Sequence, residues 1–234
     1  DEINKQLPKR KQCLVEPFVG AGSVFLNSQF QRYILADINP DLINLFNTVK
    51  QDVELYIEAI RPIFFHHDAN TAAYYYARRD EFNRTQEPFL RSILFLYLNR
   101  FGFNGLCRYN SQNEFNVPFG AYRNHYFPEK ELRYFAEKAK SAVFFCGDFH
   151  DTFRLADEHS VIYCDPPYAP LIQDSNFTQY AGNGFSLMHQ KALAELAAET
   201  SRKHNIPVII SNHDTPFTRE IYKVAKLKRI KVQR

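Results

Sequence analysis

The sequence predicts an α/β fold: a twisted, mostly parallel sheet with helices on both faces and a helical subdomain inserted between its second and third strands. Strand-like apolar segments alternate with helix-like segments at both ends of the chain, whereas the middle is helical in pattern. We therefore expect residues 1–60 and 141–234 to form one domain and residues 61–140 to form an inserted domain. Hydrophobic residues make up 45% of the 234 residues, which supports a sizeable core and excludes wholesale disorder.

The first segment has the pattern of an opening parallel sheet. An apolar run at 12–18 ends in the glycine loop Val19-Gly-Ala-Gly22, and helix-like sequence follows the loop. A second strand at 33–36 precedes Asp37. Apolar residues then recur at spacings of three and four over residues 40–60, which predicts a helix.

The middle of the chain breaks this alternation. Helices are expected at about 71–84, 88–98 and 129–140, around a polar, glycine-bearing stretch at 99–127. Within that stretch, residues 116–120 are expected to form the far side of an irregular hairpin.

The alternation resumes after the insertion. Residues 169–185 are polar and loop-like, and Ser186 is placed to cap a helix that runs to about His204. Four further strands are expected, the last of them basic, at 142–146, 161–164, 207–210 and 226–232.

Composition narrows the classes of function. Charged residues make up 24% and the formal net charge is only +3, so total charge alone does not indicate a polyelectrolyte partner. No apolar run approaches the roughly 18–20 residues that cross a bilayer, and the opening residues lack the apolar core of a signal peptide. We expect a reducing, cytoplasmic location without membrane contact. The cysteines form no CxxC pair typical of a zinc site: they are Cys13, Cys107, Cys146 and Cys164.

The glycine loop stands where a strand passes into a helix. Gly20 and Gly22 lack a Cβ, so a ligand can approach the backbone closely there. Asp37, at the end of the next strand, can accept hydrogen bonds from both hydroxyls of a ribose. Position 25 is Phe, so the third glycine of the dinucleotide fingerprint is missing. Taken alone, this motif is equally compatible with a plain tight turn.

The segment Asp165-Pro166-Pro167-Tyr168 at the end of an apolar strand is the sharpest signal in the chain. Two prolines fix φ and remove two backbone donors, so the segment is rigid and presents acceptors. Asp165 and the carbonyl of Pro166 can hold an amino group by its two hydrogens, and Tyr168 offers an aromatic face for stacking. This arrangement suits a planar amine such as adenine. A strand-terminating turn is the alternative.

These motifs carry a resemblance to a known family. Ile162-Tyr-Cys-Asp-Pro-Pro-Tyr168 is similar to the signature of DNA methyltransferases that act on exocyclic amines, and Phe18-Val-Gly-Ala-Gly22 resembles their S-adenosyl-L-methionine loop. The order of cofactor loop, insertion and Asp-Pro-Pro-Tyr is that of the family's α group. Residues 15–39, 89–128 and 161–170 resemble the bacterial DNA adenine methyltransferases of the Dam type, so the resemblance spans nearly the whole chain.

The resemblance implies a Rossmann-like, S-adenosyl-L-methionine-dependent methyltransferase sheet with an inserted helical DNA-recognition subdomain. The expected reaction is site-specific methylation of the exocyclic amine of adenine in double-stranded DNA, within GATC and by base flipping, with S-adenosyl-L-homocysteine as product. The cofactor's sulfonium is already electrophilic, so no metal is expected. Such an enzyme would act as a monomer on the DNA of a bacterial nucleoid, in mismatch repair, in DNA replication or beside a restriction partner.

The family's site residues carry over to matching positions of this chain. Asp165, Pro166 and Tyr168 would be catalytic, with Asp165 also near the methionyl end of the cofactor and Tyr168 stacked on the flipped base. Cofactor binding would fall to Phe18, Gly20 and Gly22 for the methionine part, Asp37 for the ribose, and Asp148 and Phe149 for the adenine.

The insertion is expected to contact DNA. Residues 91–126 hold four arginines against one glutamate, so a charge of 4 − 1 = +3 is concentrated there. Arginine can bind guanine through two hydrogen bonds, and Leu or Pro can touch a thymine methyl. A solvated surface residue is the alternative at each position. The family pattern gives base reading to Leu106, Arg108 and Pro118, a wedge into the gap left by the flipped base to Phe103, and base or phosphate contacts to Arg79, Asn104, Tyr122 and Arg123.

Three features depart from the family pattern. The family usually opens with an aromatic-Ala-Gly-Gly-Lys element that closes over the cofactor, whereas the printed chain starts at Asp1, beyond it. Its absence is expected to lower the cofactor affinity of the chain as printed. The chain also stops in a basic segment where the family has further sheet, and Ala121 stands where related enzymes can carry a basic residue.

Other functions stay open at this point. Cytosine amino methylation uses a similar site, usually with Ser in place of Asp165, and RNA or protein-amide methyltransferases often carry Asn there. A DNA-binding module that keeps the fold without the activity belongs to a different class, and the intact Asp165–Tyr168 segment argues against it. A histidine-based hydrolase is disfavoured, because His66 and His67 lie in a polar loop and no serine occupies a nucleophile elbow.

Overall fold

The structure is a computed structural model, and it describes residues 2–123, 125–170 and 184–230. In this part of the chain, five parallel strands form one sheet in the order β3-β2-β1-β4-β5. The strands are β1 (Cys13–Glu16), β2 (Arg32–Asp37), β3 (Ala142–Cys146), β4 (Ser160–Cys164) and β5 (Val208–Ile210). The fold class is therefore the predicted one, a Rossmann-like α/β sheet.

Helices connect or follow these strands. Most begin at a side chain that accepts a backbone N–H of the first turn, as Ser186 does for α8. In the described residues they are α1 (Ser23–Asn27), α2 (Pro40–Gln51), α3 (Val53–Phe64), α4 (Ala72–Arg84), α5 (Pro88–Phe101), α6 (Glu129–Ala139), α7 (Phe149–Phe153), α8 (Leu187–His204) and α9 (Pro216–Ile221), with a 3₁₀ turn at Phe103–Gly105.

The chain divides into two compact units, Asp1–Ile38 with Ser141–Arg234, and Asn39–Lys140. The first unit contains the sheet together with α1, α7, α8 and α9, and the second contains α2 to α6. The assignment of residues 1–60 and 141–234 to catalysis and of 61–140 to target recognition concerns function and stays a prediction.

Different helices cover the two faces of the sheet. On one face Val15 packs in a cluster with Phe149 of α7 and Leu193 of α8. On the other face Phe25 of α1 makes an edge contact with Tyr33, their ring centroids 4.9 Å apart. Since successive side chains of a strand point to opposite faces, both faces of these short strands are apolar. The expectation of helices on both faces is confirmed.

The second unit is built around α5, which packs against α2, α3 and α4. Seven of its residues are buried, so it is the apolar centre of this unit. Buried tyrosines support it through hydroxyls that donate to backbone carbonyls: Tyr56 to Ser92, and Tyr97 to Ala69. The aromatic richness of the sequence therefore serves largely as core in this unit.

Some elements differ from the sequence expectation. The helix expected over 40–60 is two helices, because Asp52 is extended and its carboxylate accepts the N–H of Leu55 to start α3. The basic strand expected at 226–232 is wrong over 226–230, which has no regular secondary structure, and its last two residues lie outside the described residues. The loop expected at 169–185 falls mostly outside them as well.

The irregular hairpin expected in the insertion is confirmed. Single antiparallel bridges join Gly102 to Phe119 and Tyr109 to Phe115, with no extended ladder in the described residues. Gly102 is placed where an added Cβ would lie 2.5 Å from the carbonyl oxygen of Leu98, so only glycine fits this turn without displacing backbone.

Candidate functional site

The predicted cofactor and catalytic residues follow the carboxyl ends of the strands of the first unit. Phe18 and the glycine loop follow β1, Asp37 ends β2, Asp148 follows β3 and Asp165 follows β4. The strand order reverses around β1, which has β2 on one side and β4 on the other. In open parallel sheets, ligands bind beyond the carboxyl ends of strands at this switch point.

The glycine loop is tied to the end of the neighbouring strand. Gly20 has φ +48° and its N–H donates to Asp37 Oδ2 at 3.0 Å. A Cβ built on Gly20 meets no atom within 4 Å, so the space over the loop backbone is open. Gly22, at φ +71°, starts α1. The loop therefore exposes backbone to a ligand and holds a carboxylate beside it.

Glu16, the last residue of β1, is a buried carboxyl at the base of this loop. It is 2% exposed, and its Oε1 has no hydrogen-bond partner among the described residues. Desolvation raises the pKa of Glu16 to about 8; a hydrogen bond from the backbone N–H of Phe25 acts in the opposite direction, and the negative charge of Asp165 adds to the rise. Oε1 of this carboxyl can accept a hydrogen bond from a ligand that reaches it.

An aromatic cluster lines the region after β1 and β3. The ring of Phe18 stacks on Phe149 at a centroid distance of 5.9 Å and meets the edge of Phe185 at 5.4 Å. Asp148 caps α7 by accepting the N–H of Asp151 at 3.0 Å. Desolvation would raise the pKa of Asp148, but this N–H and His150 hold it below its ordinary value. The cluster joins predicted cofactor residues from two separate strand ends.

The segment Asp165–Tyr168 leaves the sheet directly after β4. Asp165 reaches solvent, while desolvation by nearby protein atoms raises its pKa above the ordinary value and a hydrogen bond with Tyr168 opposes that rise. The ring of Tyr168 is 45% exposed and contacts His213 edge to face at 4.9 Å. No donor among the described residues bonds to the carbonyl of Pro166, whereas the carbonyl of Pro167 accepts from Gln190 at 2.7 Å. The segment therefore has an exposed carboxyl and a half-exposed ring, whereas Pro166 is buried and the carbonyl of Pro167 is already occupied.

The predicted DNA-contact residues lie in the second unit, around the 3₁₀ turn and the hairpin. Phe103, Leu106 and Tyr122 are 47%, 42% and 37% exposed, so three large apolar side chains of this stretch reach solvent. Asn104 has φ +53°, and its N–H donates to the hydroxyl of Tyr122 at 2.6 Å. Pro118 and Arg123 are exposed too.

Backbone and side-chain acceptors of the hairpin hold both arginines of this surface. Arg108 donates through Nε to Asn116 Oδ1 at 2.8 Å, and through Nη2 to the carbonyl of the same residue at 3.2 Å. Arg79 is half-buried, donates to the carbonyl of Val117 at 3.3 Å and lies over the ring of Tyr76. These bonds aim both guanidinium groups across the hairpin.

A buried ion pair fixes the base of this region. Asp41, 5% exposed, accepts two hydrogen bonds from Arg91, at 2.5 and 3.1 Å, and a third from Tyr109 at 2.6 Å. Tyr109 belongs to the hairpin and Asp41 to α2, so the pair links loop to helix inside the second unit. The bidentate geometry with further donors is the form in which a buried ion pair is compensated.

His66, His67 and Asp68 bring three potential ligand atoms within 4.8 Å of one another on the turn before α4. His66 Nδ1 accepts the N–H of Asp68, and His67 Nε2 lies 2.9 Å from Asp68 Oδ2. These contacts satisfy the group internally, and the turn is mostly exposed.

No helix in the described part of the chain is long and apolar enough to cross a membrane.

Sequence reasoning did not single out three groups that the structure places at the strand ends. Glu16 had a readable signal, since it is an acidic residue closing an apolar strand just before the glycine loop. Gln190 and Asn212 had none, because each is an ordinary polar residue until folding brings it to the Asp165 segment.

The chain is similar to known proteins over its whole length. The family model "D12 class N6 adenine-specific DNA methyltransferase" matches residues 1–234. The chain is 70% identical over 234 residues to a DNA adenine methylase of Haemophilus influenzae, covering all of this chain and 82% of that protein. It is 58% identical to the DNA adenine methylase of Escherichia coli (strain K12) and 53% to that of Vibrio cholerae, covering all of this chain and 83% and 84% of those proteins.

Proposed function

The chain belongs to the D12 class of N6 adenine-specific DNA methyltransferases, and on that premise we propose that it methylates adenine within GATC, using S-adenosylmethionine and flipping the target base out of the duplex. The acceptor-only segment after β4 carries the proposal. Asp165 and the carbonyl of Pro166 offer acceptors without a competing donor on either proline. An exocyclic amine, with two hydrogens to donate, is complementary to that pair.

The residues at the ends of β1 and β2 fit S-adenosylmethionine. Oε1 of Glu16 is a buried acceptor without a partner among the described residues, and the open space over Gly20 admits a ligand to the backbone. We assign the cationic amino group of the methionine part to Glu16 and the ribose hydroxyls to Asp37. A carboxylate accepts several hydrogen bonds, so Asp37 can hold the ribose and the N–H of Gly20 together. The adenine ring of the cofactor would lie near Phe149.

Bound S-adenosylmethionine supplies a methyl group on a positively charged sulfur, an electrophile that transfers without metal assistance. The chain's own residues orient the amine that receives it. Asp165 and Pro166 pull on the two N–H bonds, which favours a tetrahedral nitrogen with an available lone pair. Their acceptors would also stabilise the positive charge that grows on that nitrogen as the methyl carbon exchanges its bond to sulfur for one to nitrogen, and one of the two amine protons would then leave to solvent.

Tyr168 and the second unit would manage the DNA. Stacking on the exposed ring of Tyr168 offsets part of the few kcal/mol that extruding a base costs. Phe103, exposed beside the hairpin, would fill the gap left in the duplex. Arg108 would read guanine, and Leu106 and Pro118 would contact thymine methyls. Since the substrate is DNA, the activity would be found at the bacterial nucleoid.

Labelled S-adenosylmethionine and two short duplexes test the proposal. One duplex contains GATC, and the other keeps the adenine but scrambles its neighbours. We expect N6-methyladenine in the first duplex only, measured by digestion and chromatography, and a rise in fluorescence when 2-aminopurine replaces the target adenine. Equal label in both duplexes would contradict the GATC assignment. Label without a fluorescence change would contradict base flipping.

A further inference from the structure

The backbone of the Asp165–Ala169 segment receives its hydrogen bonds mainly from residues outside the segment. Pro166 and Pro167 have no N–H groups, so neither can anchor the backbone by donating a hydrogen bond. The anchoring bonds come instead from α8 and from the residues that follow β5. They reach the backbone on both sides of Tyr168, at the carbonyl of Pro167 and at both polar groups of Ala169.

A chain of two side-chain amides supplies most of these bonds. Gln190 Nε2 donates to the carbonyl of Pro167 at 2.7 Å, and Gln190 Oε1 accepts from Asn212 Nδ2 at 2.9 Å. Asn212 Oδ1 then accepts the N–H groups of Ala169 at 3.0 Å and His213 at 2.9 Å. Each amide has a donor end and an acceptor end in use, so their orientations follow from the backbone groups at the two ends of the chain.

Burial makes the linked amides of Gln190 and Asn212 sensitive to the loss of any one hydrogen bond. Gln190 is 1% exposed, so water cannot replace a lost partner there. The ring of His213 adds two contacts to the segment. Its Nδ1 lies 2.8 Å from the carbonyl oxygen of Ala169, and its ring contacts that of Tyr168 edge to face. A carbonyl only accepts, so the Nδ1 of His213 carries the hydrogen in this contact.

The amide chain distinguishes the two proline carbonyls. The carbonyl of Pro167 is engaged by Gln190, while no described residue donates to that of Pro166. The Pro167 carbonyl lies in the Pro167–Tyr168 peptide plane, and the proline ring fixes φ between that plane and the one that holds the Pro166 carbonyl. Holding the first carbonyl therefore leaves only ψ of Pro167 to change the direction of the second.

We propose that Gln190 and Asn212 are positioning residues for methyl transfer: their linked amides hold the Pro167–Ala169 backbone so that the Pro166 carbonyl and the Tyr168 ring meet the target base in reacting geometry. The inference deepens the proposed function and rests on its assignment of the amine to the Asp165 segment. Neither residue touches the substrate. A displacement of about 1 Å at a reacting centre lowers a rate by roughly 100-fold, so we expect losses of that order in the single-turnover methylation rate.

Three variants test the proposal on the full chain. Gln190→Met keeps the shape and removes the donor, and Asn212→Asp keeps the shape and replaces the donating amide nitrogen. Thr200→Val is the matched control, because Thr200 is a buried polar residue of the same helix without a contact to the segment in any described bond. We expect both test variants to lower kcat about 100-fold with KM for DNA within about threefold. The control should stay within twofold of wild type.

Two further readouts separate positioning from a general structural role. If the two amides act as one unit, the double variant Gln190→Met with Asn212→Asp should lose no more activity than the less active of the two single variants. Gln190→Glu should recover activity relative to wild type as pH falls, because a protonated carboxyl can again donate to the Pro167 carbonyl. Unchanged kcat in the folded single variants, or additive losses in the double variant, would overturn the proposal. Should Gln190→Met fail to fold, Asn212→Asp and the pH profile of Gln190→Glu carry the same test.

The proposed function and this inference fail in different ways. Full methylation by an Asp165→Ala variant would contradict the role of the segment itself. An inactive Asp165→Ala variant beside fully active Gln190→Met and Asn212→Asp variants would contradict the positioning role alone.

Discussion

The two compact units present opposite hydrogen-bonding character at their candidate sites. In the first unit the strand ends offer acceptors: the Asp165 carboxyl, the Pro166 carbonyl and the buried Oε1 of Glu16. In the second unit Arg79 and Arg108 each give part of their guanidinium group to the hairpin and keep further N–H groups that can donate to a ligand. Acceptors select amines and cations, whereas donors select phosphates and the guanine edge. Under the proposed function, chemistry and sequence reading can therefore be perturbed one at a time.

Removing the acceptor carboxylate at the end of β4 should have the largest effect. Asp165→Ala should lower the methylation rate at least about 1,000-fold, because the amine loses an acceptor that strengthens in the transition state. The affinity for DNA should stay within a few-fold of wild type, since the donors of the second unit are intact. Rapid-quench methylation and fluorescence anisotropy measure the two quantities. If a folded Asp165→Ala variant lost methylation rate and affinity for DNA equally, the contrast drawn between the two units would be contradicted.

Breaking the buried ion pair of the second unit should chiefly change stability. Asp41→Asn leaves the Arg91 charge buried with a weaker partner, so we expect the free energy of unfolding to fall by about 3 kcal/mol. Asp157→Asn is the control, because its pair with Arg32 is half-exposed and should contribute less than about 1 kcal/mol. Urea unfolding compares the two variants. Equal effects would mean that the Asp41 pair is no better compensated than a surface pair.

Removing one donor of the hairpin should relax sequence reading without stopping the chemistry. Arg108→Ala is expected to reduce the preference for GATC over a scrambled site by roughly 10- to 100-fold, the range of one bidentate guanine contact. Arg108→Lys should recover little of it, because an ammonium cannot reproduce the fork. Competition between the two duplexes measures the preference at fixed salt. A uniform loss on both duplexes would assign Arg108 to phosphate instead.

The buried acceptor at the end of β1 should give the smallest change per step of the measurement, a gradual dependence of stability on pH. The pKa of Glu16 is raised from 4.5 to about 8, so its stabilising contribution is complete below about pH 4.5 and is lost as pH rises to about 8. The slope is at most about 1.4 kcal/mol per pH unit. Glu16→Gln should remove this pH dependence of stability between about pH 4.5 and pH 8. Thermal unfolding at several pH values measures it. Identical slopes in both proteins would show that Glu16 is ionised in the folded state.

Much of the first unit could be predicted from its sequence. Short apolar runs predict its strands, and the glycine, Asp and Pro that bound them predict its loops, from neighbouring residues alone. The Asp165–Tyr168 segment and the glycine loop were found this way, as was the Ser186 cap of α8. The short helices α7 and α9 were missed, because five or six residues are too few for a periodic pattern. Thr215-Pro216 is a usable start signal for α9, with a cap and a proline at its first position.

The remainder depended on contacts between distant parts of the chain. The amide chain joins α8 to the residues after β5 and to the end of β4, and polar residues in such places look like surface residues in sequence. The ending of α2 has a local cause instead: apolar spacing continues across Asp52, but its carboxylate accepts the N–H of Leu55 and starts a new helix. Periodicity alone indicates neither feature.

The pairing of β2 with β3 has a consequence for how the chain folds. These strands lie side by side in register, with Tyr33 opposite Ala142, although the whole second unit separates them in sequence. Closing a flexible loop of about 100 residues costs about 4 kcal/mol of chain entropy, plus a constant. If the second unit is already folded, its two ends are held in place, so pairing β2 with β3 no longer carries the cost of closing a flexible loop. Early folding of Asn39–Lys140 would therefore speed completion of the sheet, and a nascent chain emerging amino end first makes that unit before β3 exists.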